Sequence, residues 1–83
     1  MYMSNDEFEK LKKELREYVE NAPKQFTKCT YVALIPNARN NEFVEYSEGL
    51  AKGMGIDVYV YPPTPFGDEY KVEAEFDISR EEA

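Results

Sequence analysis

The 83-residue chain has no histidine, no tryptophan and a single cysteine, and its seventeen acids outnumber its ten bases. Without imidazole no side chain has an ordinary pKa near neutrality. The formal charge of −7 therefore holds steady there and collapses only as carboxylates protonate. General acid or base work would fall to carboxylates, tyrosines or lysines, and zinc and copper lose a preferred ligand. The lone Cys29 excludes an internal disulfide and any multi-cysteine metal site. With no histidine or evident cationic pocket to activate it, its thiol reads as a small buried hydrophobe and its compartment as reducing. No apolar run approaches the ~20 residues needed to span a bilayer, and Met1 to Asn5 lacks the charged and apolar regions of a signal peptide. These shortages lead us to expect a soluble protein of the cytoplasm, away from membranes. The shortage of bases argues against nucleic acid, whose phosphates an acidic chain repels, and favours cations or a basic protein surface as partners. Gly53, Met54, Gly55 follows a helical pattern and does not join a strand to a helix, so there is no phosphate-binding loop and no enzyme is expected.

What is present is periodic. Apolar residues make up 42% of the chain and charged ones 33%, enough for one small core inside a solvated shell, and residues 1–83 read as a single domain and a monomer. Ser4, Asn5, Asp6, Glu7 has the spacing of a capping box. Behind it Phe8, Leu11, Leu15, Tyr18, Val19 and Ala22 recur every three or four residues, which predicts a helix ended by Pro23. Lys28 to Ile35 predicts a strand, and because Tyr31 to Ile35 is apolar at both parities it reads as a central one. Asn37 to Asn41 is a polar connection in which Arg39, with the asparagines, could hold a small anion, although a solvated capped turn is the simpler account. Glu42 to Lys52 predicts a second helix with a glycine terminator, a strand being the alternative. Ile56 to Tyr61 predicts another strand, leading into a stiff loop at Pro62, Pro63, Thr64, Pro65, Phe66, Gly67. Met1 to Met3 reads as a loose tail with Met3 packing back, and Ser79 to Ala83 as a frayed end.

Tyr70 to Ile78 carries the clearest pattern. Tyr70, Val72, Ala74, Phe76 and Ile78 alternate with Lys71, Glu73, Glu75 and Asp77, the two-residue period of a half-buried strand. The expected architecture is α+β, with two helices packed on one face of a small, mostly antiparallel sheet of three or more strands. In it the strands flanking the second helix form a parallel crossover and the last strand pairs with its predecessor. If Ile56–Tyr61 and Tyr70–Ile78 are neighbours with their apolar sets aligned, Asp57 must share a face with Glu73, Glu75 and Asp77, because a one-residue slip would turn the apolar set to water. The most natural register sets Tyr59 opposite Glu73 and Asp57 opposite Glu75. Like charges at ~5 Å cost roughly 3 kcal/mol unscreened at an effective dielectric near 20. Three things could offset that: Lys71 or a helix lysine reaching over, the acids splaying into water, or a divalent cation. Oxygen-only ligands suit calcium, so Asp57, Glu73, Glu75 and Asp77 form the candidate metal site, with Asp68 and Glu69 able equally to supply ligands, beside the plainer account of a solvated acidic face.

In length, acidity and the run from Tyr31, Val32, Ala33, Leu34, Ile35, Pro36 through Tyr59, Val60, Tyr61, Pro62, Pro63, the chain resembles a small uncharacterised protein of methanogenic archaea. The resemblance implies an α+β fold with calcium binding and carries no ligand assignments; the four acids rest on strand parity alone. The function expected is therefore divalent-cation binding without catalysis. The alternative is a protein-interaction module that presents an acidic, tyrosine-bearing sheet face to a basic partner.

Overall fold

The computed structural model describes residues 3–23 and 27–78. Helix α1 spans Asn5–Glu20, strand β1 Lys28–Ile35, a short 3-10 turn Asn37–Arg39, helix α2 Asn40–Met54, strand β2 Asp57–Phe66 and strand β3 Glu69–Asp77. The strands form one antiparallel sheet in the order β1-β3-β2, so the class is α+β. The expectations for Met1 and Tyr2 and for Ser79 to Ala83 lie outside the described residues.

α1 begins where its cap dictates. The Glu7 amide donates to the Ser4 hydroxyl at 3.1 Å while the Ser4 amide donates to the Glu7 carboxylate at 3.0 Å, closing the box. The bond from the Ser4 amide holds the Glu7 carboxyl below its ordinary range. From there Phe8, Leu11, Leu15 and Val19 are buried, and Met3 packs partly buried against the core they help form. α2 is a helix and not a strand. It ends at Gly55, whose φ of 72° is the left-handed cap conformation, with the amides of Gly55 and Ile56 returning to the carbonyls of Lys52 and Ala51.

The order of the strands corrects two expectations. β3, the last in sequence, is central, and β1 is an edge strand. β1 and β2 still run in the same direction on either side of α2, but β3 lies between them, so the crossover passes over one strand. The apolar run of β1 suggested burial on both sides. In the fold Ile35 is fully buried, but Val32 and Leu34 on the other parity stay 50% and 39% exposed.

The proline-rich segment is also strand and not loop. β2 continues through Pro62, Pro63 and Pro65 to Phe66, and the hairpin closes in a two-residue turn at Gly67 and Asp68, with Gly67 at φ 65°. A turn that tight, followed without interruption, would pair Tyr61 with Ala74 and set the apolar face of β2 against the charged face of β3. A bulge between Tyr61 and Thr64 prevents it. Pro62 and Pro63 together oppose one residue, and the register beyond returns to Tyr61↔Glu73, Tyr59↔Glu75 and Asp57↔Asp77. Prolines suit this place because an edge strand at a bulge leaves amide positions with no ladder to serve.

Val72, Ala74 and Phe76 of β3 are at most 1% exposed and share one cluster with Cys29, Ile35, the four buried residues of α1, and Phe43 and Ala51 of α2. That parity is the inner face. Ser47 is fully buried in α2, and its hydroxyl has no hydrogen-bond partner among the described residues.

Candidate functional site

The outer face follows from the two registers. Along β3 it presents Glu69, Lys71, Glu73, Glu75 and Asp77 as one row. β1 places Leu34 beside Lys71, Val32 beside Glu73, Thr30 beside Glu75 and Lys28 beside Asp77. On the other flank β2 places Phe66 beside Glu69, Thr64 beside Lys71, Tyr61 beside Glu73, Tyr59 beside Glu75 and Asp57 beside Asp77. The parity expectation therefore stands: Asp57, Glu73, Glu75 and Asp77 share this face. Their expected register does not, since Asp57 lies opposite Asp77 and not Glu75, the bulge and tight turn having moved the pairing by two residues.

Glu75 is the hub of the row. Its carboxylate accepts from the Lys28 ammonium at 3.0 Å and from the Tyr61 hydroxyl at 2.9 Å. These bonds, Lys28 first, hold the Glu75 carboxyl below its ordinary range, while the same carboxylate raises the pKa of Lys28 and of Tyr61. The like-charge cost expected of the row is thus met at Glu75 by a lysine, and the lysine comes from β1 and not from Lys71 or a helix. Lys28 was legible in one respect: it has the parity of Thr30 and Val32, so a chain placing β1 against β3 puts it beside the acids. Among the described residues no group of three or more acidic or cysteine side chains is arranged to hold a metal.

The flanks are apolar and aromatic. Tyr59 is 58% exposed, Tyr61 37% and Phe66 61%. The rings of Tyr59 and Tyr61 meet edge to face at 4.7 Å, a favourable aromatic contact.

The other sequence candidates are absorbed by the fold. Arg39 donates to both carboxylate oxygens of Glu42 at 2.9 and 3.1 Å, to the Met3 carbonyl at 3.0 Å and to the Asn5 side chain at 2.7 Å. It also lies 5.1 Å over the Phe8 ring. It ties the start of α1 to the start of α2 and is committed there, which removes the basis of an anion site. Cys29 is buried, and desolvation pushes its thiol up, away from the thiolate that nucleophilic chemistry needs.

No helix among the described residues is long and apolar enough to cross a membrane. No family model, curated protein or solved structure matches the chain.

Proposed function

We propose that the chain is a protein-interaction module whose outer sheet face receives a basic, partly apolar segment of a partner protein. The observation that carries this reading is the central acidic row flanked on both sides by exposed apolar and aromatic side chains. Glu73 sits between Val32 and Tyr61, and Glu75 between Thr30 and Tyr59. A lysine or arginine stem can lie along such flanks while its charged end meets the row, and a tyrosine face attracts the same cations. The reading takes both helices to pack on the inner face, since their buried residues share one cluster with the inner residues of the sheet. Catalysis has no place in it.

The test uses a synthetic peptide of alternating lysine and leucine, followed by backbone amide shifts at two salt concentrations. Shifts concentrated at Val32, Leu34, Tyr59, Tyr61 and Glu73, and weakened by salt, are expected. Shifts confined to the exposed acids of α1 would remove the face from consideration.

A second reading keeps the divalent cation, and the pairing of Asp57 directly with Asp77 favours it. Two aspartates directly opposite each other across a strand pair repel; Lys28, paired with Asp77 on the other flank, offsets part of that repulsion, and calcium, which tolerates an irregular oxygen site, would offset more. Asp57 and Asp77 would then be the principal ligands, with Glu75 free to join only by exchanging Lys28 and Tyr61 for the ion. Glu73, between Val32 and Tyr61, stands further along the row. Titration with calcium should move the amides of Asp57 and Asp77 first and raise the melting temperature by mass action. No movement at millimolar calcium ends this second reading and leaves the first untouched.

A further inference from the structure

The two edges of the sheet differ in how they resist pairing with another strand. An open edge offers unpaired backbone donors and acceptors, and proteins blunt such edges with prolines, bulges and charges. The β2 edge has all three: Pro62, Pro63 and Pro65, the irregularity between Tyr61 and Thr64, and Asp57 at its start. The β1 edge has almost none. Its eight residues contain no proline and no acid, its only charge is Lys28 at the first position, and its register with β3 runs unbroken from Lys28 to Ile35. Apolar surface flanks it on both sides. Val32 and Leu34 are half exposed on the outer face, and Tyr18 of α1, 48% exposed, lies on the inner side with its ring 5.6 Å from that of Tyr31.

We propose that two copies of this chain associate through their β1 strands, antiparallel about a two-fold axis, joining two three-stranded sheets into one of six. Charge decides the occupant. Each copy carries −7, so copies repel one another, and β1, whose eight residues include no acid, is an edge along which two strands can pair without setting acid against acid. The added strand must itself be free of proline and acids. Within this chain β2 fails on both counts and β3 is paired on both sides, which leaves a second β1. Parity then restricts the register, because inner residues must face inner residues. With Val32 on the two-fold axis, Val32 meets Val32 and Thr30 meets Leu34 on the outer face, while Tyr31 meets Ala33 and Cys29 meets Ile35 on the inner. No charge faces a charge, and the two Lys28 residues stand about 27 Å apart at the rise of an extended strand. The contact is isologous and closes at two copies, since the proline-bearing β2 edges then form both ends of the larger sheet. The sequence led us to expect a monomer; this edge argues otherwise, and independently of what the outer face binds.

Sedimentation equilibrium from micromolar to millimolar protein tests it. The mass should rise from 9.7 kDa to twice that and stop, at lower concentration when salt screens the repulsion. Val32→Lys sets like charges against each other on the two-fold axis and should weaken dimerisation at least about tenfold, whereas Tyr59→Lys, which makes the same change in net charge on the same face but at the other edge, should not weaken it. In the unsubstituted protein, amide exchange between Thr30 and Leu34 should slow as concentration rises. That readout holds even if a variant fails to fold. A mass that stays at the monomer value at millimolar protein and high salt, growth beyond two copies, or loss of the dimer in Tyr59→Lys but not in Val32→Lys would each overturn the proposal.

Discussion

β3 can be compared with itself. Val72, Ala74 and Phe76 are sealed in the core, while Glu73, Glu75 and Asp77, each one residue away, remain partly open to solvent. Both sets belong to the central strand and share its backbone pairing on both sides, so the difference between them is side-chain environment alone. The inner set is held by packing, which punishes any change of volume. In the outer set Glu75 is held by Lys28 and Tyr61 at the surface, and contacts of that kind can change with little structural consequence. A surface free to vary without unfolding the protein is one on which binding can be built.

The largest expected effect breaks the inner side of that comparison. Phe76→Ala removes a fully buried ring and leaves a cavity among residues of three strands and two helices, so unfolding in urea should show a loss of about 3–5 kcal/mol. A loss under about 1 kcal/mol would mean that the inner face is not the packed core described here. Glu73→Gln tests the outer side. Its effect on stability should stay within about 0.5 kcal/mol, while binding of the lysine–leucine peptide should weaken and depend less on salt. If Glu73→Gln lowers stability as much as Phe76→Ala, the two parities are not distinct in kind.

Much of this was legible in the sequence because it is encoded locally. The capping box at Ser4 and Glu7, the stripe from Phe8 to Val19 and the alternation from Tyr70 to Asp77 each need only a few neighbouring residues to declare themselves, and the parity that unites Asp57 with Glu73, Glu75 and Asp77 follows from two such segments. What was not legible depends on partners distant in sequence. Whether Tyr31 to Ile35 is central or at an edge is decided by where β3 inserts, and a run apolar at both parities is ambiguous because Val32 and Leu34 can be tolerated half exposed. The register failed for a local reason of another kind. Pro62 and Pro63 read as the end of a strand, yet they form the bulge that lets a tight turn at Gly67 coexist with matched faces. Lys28 was missed as the partner of Glu75 because only the β1–β3 pairing brings them together.

The smallest expected effect sharpens the outer side, at Glu75. Its carboxyl is held below the ordinary range by hydrogen bonds, first from Lys28 and then from Tyr61. A depressed carboxyl stabilises the fold above its unfolded pKa, and that contribution is lost as pH falls through the folded value. Lys28 and Tyr61 are raised, by the same carboxylate, so their contributions are present below their unfolded values and lost as pH rises through the folded ones. The cluster is therefore fully engaged between roughly pH 5 and pH 9, above the carboxylate range and below that of tyrosine and lysine. Followed by side-chain carboxyl NMR, Glu75 should titrate at higher pH in Lys28→Met than in the unsubstituted protein, and Tyr61→Phe should move it in the same direction by less. Neither change should disturb Phe76, whose environment lies on the other face of the strand. A Glu75 titration unmoved by Lys28→Met would mean that the pair is too loosely held to organise the row, and Glu75 would then act as an independent charge.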